Sequence, residues 1–151
     1  MYKQFTGVIF ALVTISFGIS NLNPIVIVPG AALNRMEYRL KNEENSAYKP
    51  IWFEINAVSK NKSIYVKDMQ IKYDHLTDEY SSADHIDIRP QNYGGIEGIT
   101  IIDPEYPQTE RFRPTIEHLE SIGYQAGKNL FGGPYDFRLA GPTNLKKFGV
   151  F

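Results

Sequence analysis

Asn23-Pro24-Ile25-Val26-Ile27-Val28-Pro29-Gly30 decides the fold. Ile25 to Val28 are β-branched and stand without polar interruption between two prolines. An unbroken apolar run, as opposed to an alternating one, reads as a strand buried on both faces, the habit of a parallel sheet covered by helices. Pro29-Gly30 stops it abruptly, and a strand that ends in a tight turn leaves backbone N–H groups free at its C-terminal edge. Such groups are the raw material of an oxyanion hole, where losing one donor costs about 10²–10³ in rate. Composition alone fits a plain strand end equally well.

Downstream, Arg35 to Lys49 is polar with an acidic patch and predicts a loop or irregular helix. Ile51-Trp52-Phe53 is a short apolar knot. Ile64, Val66, Ile71 and Tyr73 alternate with charges and predict a half-exposed strand or hairpin, and His85 to Ile88 alternates likewise. Gln91 to Gly98 reads as a glycine-rich loop and Ile99 to Ile102 as a short strand. Arg111 to Tyr124 places Ile116, Leu119 and Ile122 at helical spacing, with Pro114 in the first turn and Gly123 at the end. Asn129 to Arg138 predicts a strand followed by a tight turn at Gly132-Gly133-Pro134. Strand, turn, mixed insertion, helix and strand suggest the opening of an α/β fold.

Upstream, residues 1–20 carry Lys3 as their only charge and a nearly unbroken apolar run from Val8 to Ile19, with small Gly18 and Ser20. That is the pattern of a secretory signal peptide, since a bilayer span needs about 20 apolar residues. An uncleaved anchor is the alternative. Residues 21–151 then form one domain. In a secreted chain Asn61-Lys62-Ser63 is a sequon, so Asn61 would be glycosylated and face solvent.

Composition removes whole classes of function. Sixteen basic against seventeen acidic residues give a formal charge of −1, without the basic footprint of a nucleic-acid binder. There is no cysteine, which excludes disulfides, thiolate metal sites and thiol catalysis. No serine lies in Gly-x-Ser-x-Gly; Ser121 has the second glycine, Gly123, but Leu119 in place of the first. Asp74-His75, Asp78-Glu79 and Asp84-His85 with Asp87 are rich in metal-ligating types, but no pair has a known metal spacing, and a solvated loop is the better reading. His118 sits beside the apolar stripe of the helix and reads as a half-buried packing residue. Gly94-Gly95 with Gly98 lacks dinucleotide-binding spacing.

Taken in order, these residues resemble the lecithin:cholesterol acyltransferase family, which includes lysosomal phospholipase A2 and the phospholipid:diacylglycerol and phospholipid:sterol acyltransferases. Pro24 to Gly30, then Leu33-Asn34-Arg35-Met36-Glu37 and Leu40, is similar to the family's opening PV-x-x-VPG-x-x-x-N-x-L-E-x-x-L. Ile51-Trp52 resembles its IW, and Lys67-Asp68, Ile71 and Tyr73-Asp74 its D-N-x-R-L-x-Y-D/N. Phe112 to Tyr124 resembles the Y-F-x-x-L-x-x-x-G-Y helix. Gly133-Pro134-Tyr135-Asp136-Phe137-Arg138 is similar to A/G-P-Y-D-W/F-R, the most specific motif of the set.

The resemblance implies an α/β-hydrolase fold and acyl transfer from a glycerophospholipid, through a serine acyl-enzyme, to a sterol, diacylglycerol, ceramide or water. It implies no cofactor and no metal. Phospholipid and acyl acceptor are the implied partners, met at a membrane or lipoprotein surface, in the secretory pathway or a lysosomal or vacuolar lumen. It makes the Ala31 backbone N–H an oxyanion donor, and Pro29, Gly30, Trp52, Asp68, Pro134, Tyr135, Asp136 and Arg138 motif residues of structural role. Asp136 and Arg138, two apart on an expected strand, would pair on one face. In the family the Gly-His-Ser-x-Gly elbow comes roughly 30–50 residues after the Pro-Tyr-Asp motif. The expectation is therefore an α/β-hydrolase front portion, truncated before the nucleophile elbow, marginally stable alone and without nucleophile, acid or base. Ala57 to Lys62 is polar where the family carries apolar, disulfide-closed membrane-docking residues. A secreted, non-catalytic lipid-binding or interaction protein is the alternative.

Overall fold

The computed structural model describes residues 22–52, 54–60, 66–139, 141 and 143. The signal-peptide reading of residues 1–20, the Asn61 sequon and Phe53 lie outside them. In chain order the elements are β1 (Ile25–Ile27), β2 (Met36–Leu40), β3 (Lys49–Trp52), α1 (Ile55–Lys60), β4 (Ile71–Asp74), β5 (Glu79–Ser82), β6 (Ile86–Pro90), α2 (Glu97–Thr100), α3 (Arg113–Ser121) and β7 (Leu130–Gly132).

β1 pairs in parallel with β7, Ile25 opposite Leu130 and Ile27 opposite Gly132. Two further bonds extend the ladder, from Ile25 N–H to Asn129 O at 2.9 Å and from Gly133 N–H to Ile27 O at 2.8 Å. The parallel reading of β1 holds, but the expected burial on both faces does not. The strand is half-buried, and Val28 lies beyond it, 61% exposed. With β7 as its one strand neighbour among the described residues, β1 is a sheet edge.

The core is built on an antiparallel sheet in the order β3-β2-β6. Met36, Ile51, Ile86 and Ile88 are its buried centre, with Tyr38, Leu40, Trp52, Met69 and Phe137 packed around them. β2 corrects the loop expected over Arg35 to Lys49. Its Met-Glu-Tyr-Arg-Leu pattern alternates, so one face buries Met36 while the other meets solvent. The solvent face is paired across strands: Arg89 Nε to Glu37 at 2.7 Å and Arg39 Nε to Asp87 at 3.2 Å. Tyr48 donates to Asp87 at 2.6 Å, and the Arg89 guanidinium lies 3.5 Å from its ring centre. β3 is an edge strand, which tolerates Pro50.

Of the strand or hairpin expected over 63–73, residues 63–65 lie outside the described residues, and the described hairpin is β4 with β5, Tyr73 opposite Tyr80 and their rings 4.8 Å apart. Residues 66–68 are helical. The alternation at His85 runs on as β6 to Pro90, burying Ile86, Ile88 and Pro90. Ile99 to Ile102 is not a strand. Ile99 and Thr100 N–H both donate to Ile96 O at 3.1 Å, closing α2, and Ile101 makes only a bridge to Glu110. A short apolar run has no period to separate the two states.

The predicted amphipathic helix is α3, with Pro114 in its first turn and Ile116 buried. Gly123 follows at φ +105°, which glycine alone adopts freely. His118 is exposed, not half-buried, because the contact face centres on Ile116. Gly132-Gly133-Pro134 is likewise not a turn. The strand pairing carries through Gly132 and the chain reverses only at Asp136–Leu139, closed by Leu139 N–H to Asp136 O at 2.9 Å.

Candidate functional site

The chain leaving β1 turns at once. Leu33 N–H donates to Gly30 O at 3.0 Å, closing a four-residue turn over Ala31 and Ala32. Ala32 has φ +64° while Ala31 does not have positive φ, the pattern of a type II turn. A trans peptide points its N–H opposite to its carbonyl. Gly30 O faces into the turn, so Ala31 N–H faces out of it. Ala31 is exposed, and its N–H donates to none of the described residues. Pro29 is buried beneath, so the turn stands on a packed base.

Two other motifs converge on this turn. Trp52, at the end of β3, donates its indole Nε1–H to Ala32 O at 3.0 Å. Asn34, fully buried, donates its side-chain amide to Arg35 O at 3.1 Å and accepts from Tyr135 N–H at 3.5 Å. The segment after β1 is thereby tied to Pro134-Tyr135-Asp136 across roughly 100 residues of chain. Asn34 has no role in the sequence reading. A lone polar residue in a motif gives no sign of burial, and its partner is remote in sequence.

Asp136 and Arg138 form the centre of the second motif, but not on a strand. Asp136 Oδ1 accepts the Arg138 backbone N–H at 3.2 Å, an Asx-type turn that brings the side chains together. The guanidinium then binds both carboxylate oxygens, Nε to Oδ1 at 2.9 Å and Nη2 to Oδ2 at 2.6 Å. The side chains are 6% and 0% exposed. Remaining donors reach Ser82 Oγ at 3.1 Å and Met69 O at 3.4 Å. A buried charge survives only when paired and fully bonded, and this fork-to-fork geometry meets that condition. Phe137, between the two in sequence, packs on Trp52 with ring centres 5.1 Å apart and the rings inclined at 60°. Asp68, next to Met69 in the chain, places its Oδ1 3.0 Å from His85 Nε2. It supports the segment that Arg138 grips and does not join the turn.

A cleft of about 230 Å³ opens beside the turn, lined by Ala32, Leu33, Trp52, Ile102, Thr109 and Arg111. It is smaller than the roughly 300–1,000 Å³ that encloses a drug-sized ligand, so a large ligand would be enclosed only in part. The acidic stretch from Asp74 to Asp87 is spent on local bonds. Asp74 accepts Leu76 N–H at 2.8 Å, Asp78 accepts the Tyr73 hydroxyl at 3.1 Å and Lys72 binds Asp84 at 2.6 Å.

A second cleft, of about 400 Å³, holds Arg35, Glu54, Asn56, Asp103, Pro104 and Glu105. Asp103 is buried and accepts Ile55 N–H at 2.9 Å at the start of α1. Burial above all, then the Asp103 and Glu105 carboxylates, pushes Glu54 above the usual carboxylate range, against the pull of Arg35. A carboxyl raised in this way stabilises the fold while protonated, and that contribution is lost as pH rises through its folded value. Glu54→Gln should therefore melt at higher temperature than wild type at neutral pH. The difference should vanish in acid, below the ordinary glutamate range. Melting curves of both proteins across this pH window check it.

A family model described as lecithin:cholesterol acyltransferase matches residues 48–149. The chain belongs to the lecithin:cholesterol acyltransferase family. Membership brings an α/β-hydrolase-like fold, with which the parallel β1–β7 pair and the mixed elements between them are compatible. Similar curated proteins include lecithin-cholesterol acyltransferase-like 1 of Oryza sativa subsp. japonica, 27% identical over 82% of this chain and 29% of that protein. Lysosomal phospholipase A and acyltransferase of Bos taurus is 23% identical over 91% of this chain and 37% of its own length. Phosphatidylcholine-sterol acyltransferase of Mus musculus is 23% identical over 80% and 30%. The chain spans about a third of the length of these relatives.

Proposed function

We propose that these residues form the oxyanion side of a lipid acyltransferase or phospholipase A, the front portion of an α/β-hydrolase fold. The observation that carries this is the turn after β1, where an exposed Ala31 N–H, unengaged among the described residues, is presented by two other family motifs. During acyl transfer the ester carbonyl of a glycerophospholipid becomes a tetrahedral oxyanion, and a fixed N–H stabilises that charge without reorganising. The Ala31 side chain is a single methyl group, which leaves the approach open. An alcohol such as a sterol or diacylglycerol, or water, then takes the acyl group.

Nucleophile, acid and base are a separate matter. Residues 1–151 contain no Gly-x-Ser-x-Gly, so by themselves they carry no acyl-enzyme chemistry. Residues 1–20 serve as the signal peptide, residues 21–151 as the partial hydrolase domain, and Asn61 as a glycan site in a secretory or lysosomal lumen. The names of the bovine and murine relatives support the lipid assignment.

The purified 151-residue chain should take no label from a fluorophosphonate probe and release no fatty acid from phosphatidylcholine. Stoichiometric labelling would overturn the reading that these residues lack the nucleophile. Sequencing the transcript through the codon for Phe151 supplies the positive arm. An in-frame Gly-x-Ser-x-Gly followed by Asp and His supports the enzyme. A stop codon there, together with binding of the chain to phosphatidylcholine vesicles, supports the non-catalytic lipid-binding alternative.

A further inference from the structure

We infer that Trp52 is the positioning residue of the oxyanion turn, its indole N–H holding the Ala32 carbonyl and so the direction in which Ala31 N–H is presented. The inference rests on the acyl-transfer reading of Ala31 for its meaning, but not for its test. An L-alanine at φ +64° is strained and persists only where the surroundings over-determine it. Here the Ala32–Leu33 peptide is gripped from both sides. Its N–H goes inward to Gly30 O at 3.0 Å, and its carbonyl goes outward to Trp52 Nε1 at 3.0 Å. With that peptide fixed, Gly30 O cannot swing out of the turn, and the Ala31 N–H on the opposite side of the Gly30 carbonyl keeps its outward direction.

Trp52 is itself held. It lies in β3 beside buried Ile51, in register with Met36, and its ring packs on Phe137. Phe137 is flanked by the two members of the buried Asp136–Arg138 pair. A rigid anchor of this kind is what an oxyanion donor requires, since its value lies in being oriented before the charge appears. The family's IW and Pro-Tyr-Asp motifs, far apart in sequence, thus act on one turn.

Trp52 is the sole tryptophan, so an isostere fed to a tryptophan auxotroph replaces it alone. β-(3-Benzothienyl)alanine keeps the ring shape and puts sulfur in place of N–H. The readout is amide hydrogen exchange in the 151-residue chain, with Trp52→Phe as a second variant. Leu33 N–H should exchange about five- to tenfold faster with the isostere, while the β2–β6 amides keep their protection. Unchanged exchange at Leu33 would overturn the inference. Equal loss at Leu33 and along β2–β6 would overturn it too, by making Trp52 a general packing residue. Neither result depends on acyl transfer, so failure of the functional reading and failure of this one are separable.

Discussion

Arg138→Trp should abolish cooperative folding of the chain. The substitution leaves the Asp136 carboxylate at 0% exposure without its cation. Breaking a buried pair in this way costs about 3–5 kcal/mol, and a whole domain is held by only about 5–15 kcal/mol. The indole also has to occupy the place of a guanidinium that reaches Ser82 Oγ and Met69 O, so the hairpin and the 66–69 segment lose their tie to the motif. Removing both charges together, as in Asp136→Leu with Arg138→Met, should recover much of the loss, because two matched apolar side chains leave no buried ion. Denaturant unfolding and the soluble fraction of each variant are the measurements. A single variant with wild-type stability would mean that the pair is solvated.

Gly132→Ala should be nearly as damaging, for a steric reason. A Cβ there would strike the Gly95 backbone carbonyl oxygen far inside contact distance, with Ile99 Cδ1 at 3.3 Å behind it. Gly132 pairs with Ile27 in the β1–β7 ladder and also exchanges bonds with Gly94. The backbone therefore has no direction in which to yield without breaking one set or the other. Overpacking of this kind costs about 1–3 kcal/mol or more when the obstacle is main chain. The comparison is Gly30→Ala, whose Cβ meets only the flexible end of Leu33 at 3.3 Å. Thermal melts should show a large loss for Gly132→Ala and a small one for Gly30→Ala. Reversal of that order would show that the 91–96 loop is free to move.

Much of this arrangement is legible in the sequence, and the failures have distinct causes. β1 announces itself because prolines bracket an apolar run, and α3 because Ile116, Pro114 and Gly123 agree on one helix. The Asp136–Arg138 pairing is legible through its motif, although the turn that creates it is not. β2 is hard to read despite its alternation, because Glu37 and Arg39 look like loop residues until Arg89 and Asp87 are seen opposite them. α2 is illegible because a run as short as Ile99 to Ile102, three isoleucines and a threonine, carries no period. The turn itself shows the deepest limit. That Val28 to Ala31 ends a strand is written locally, whereas its bracing by Trp52 and Asn34 depends on contacts that no spacing rule connects.

The parallel pairing of β1 with β7 also sets a timetable. A ribosome makes Ile25 to Ile27 first and Leu130 to Gly132 roughly 100 residues later. At about 5–20 residues per second, that is about 5–20 s in which β1 has emerged without its mate. Its β-branched edge is adhesive throughout that interval. The nascent chain therefore needs shelter most at its front end, where the turn after β1 waits for Tyr135 before its tie to Asn34 can form.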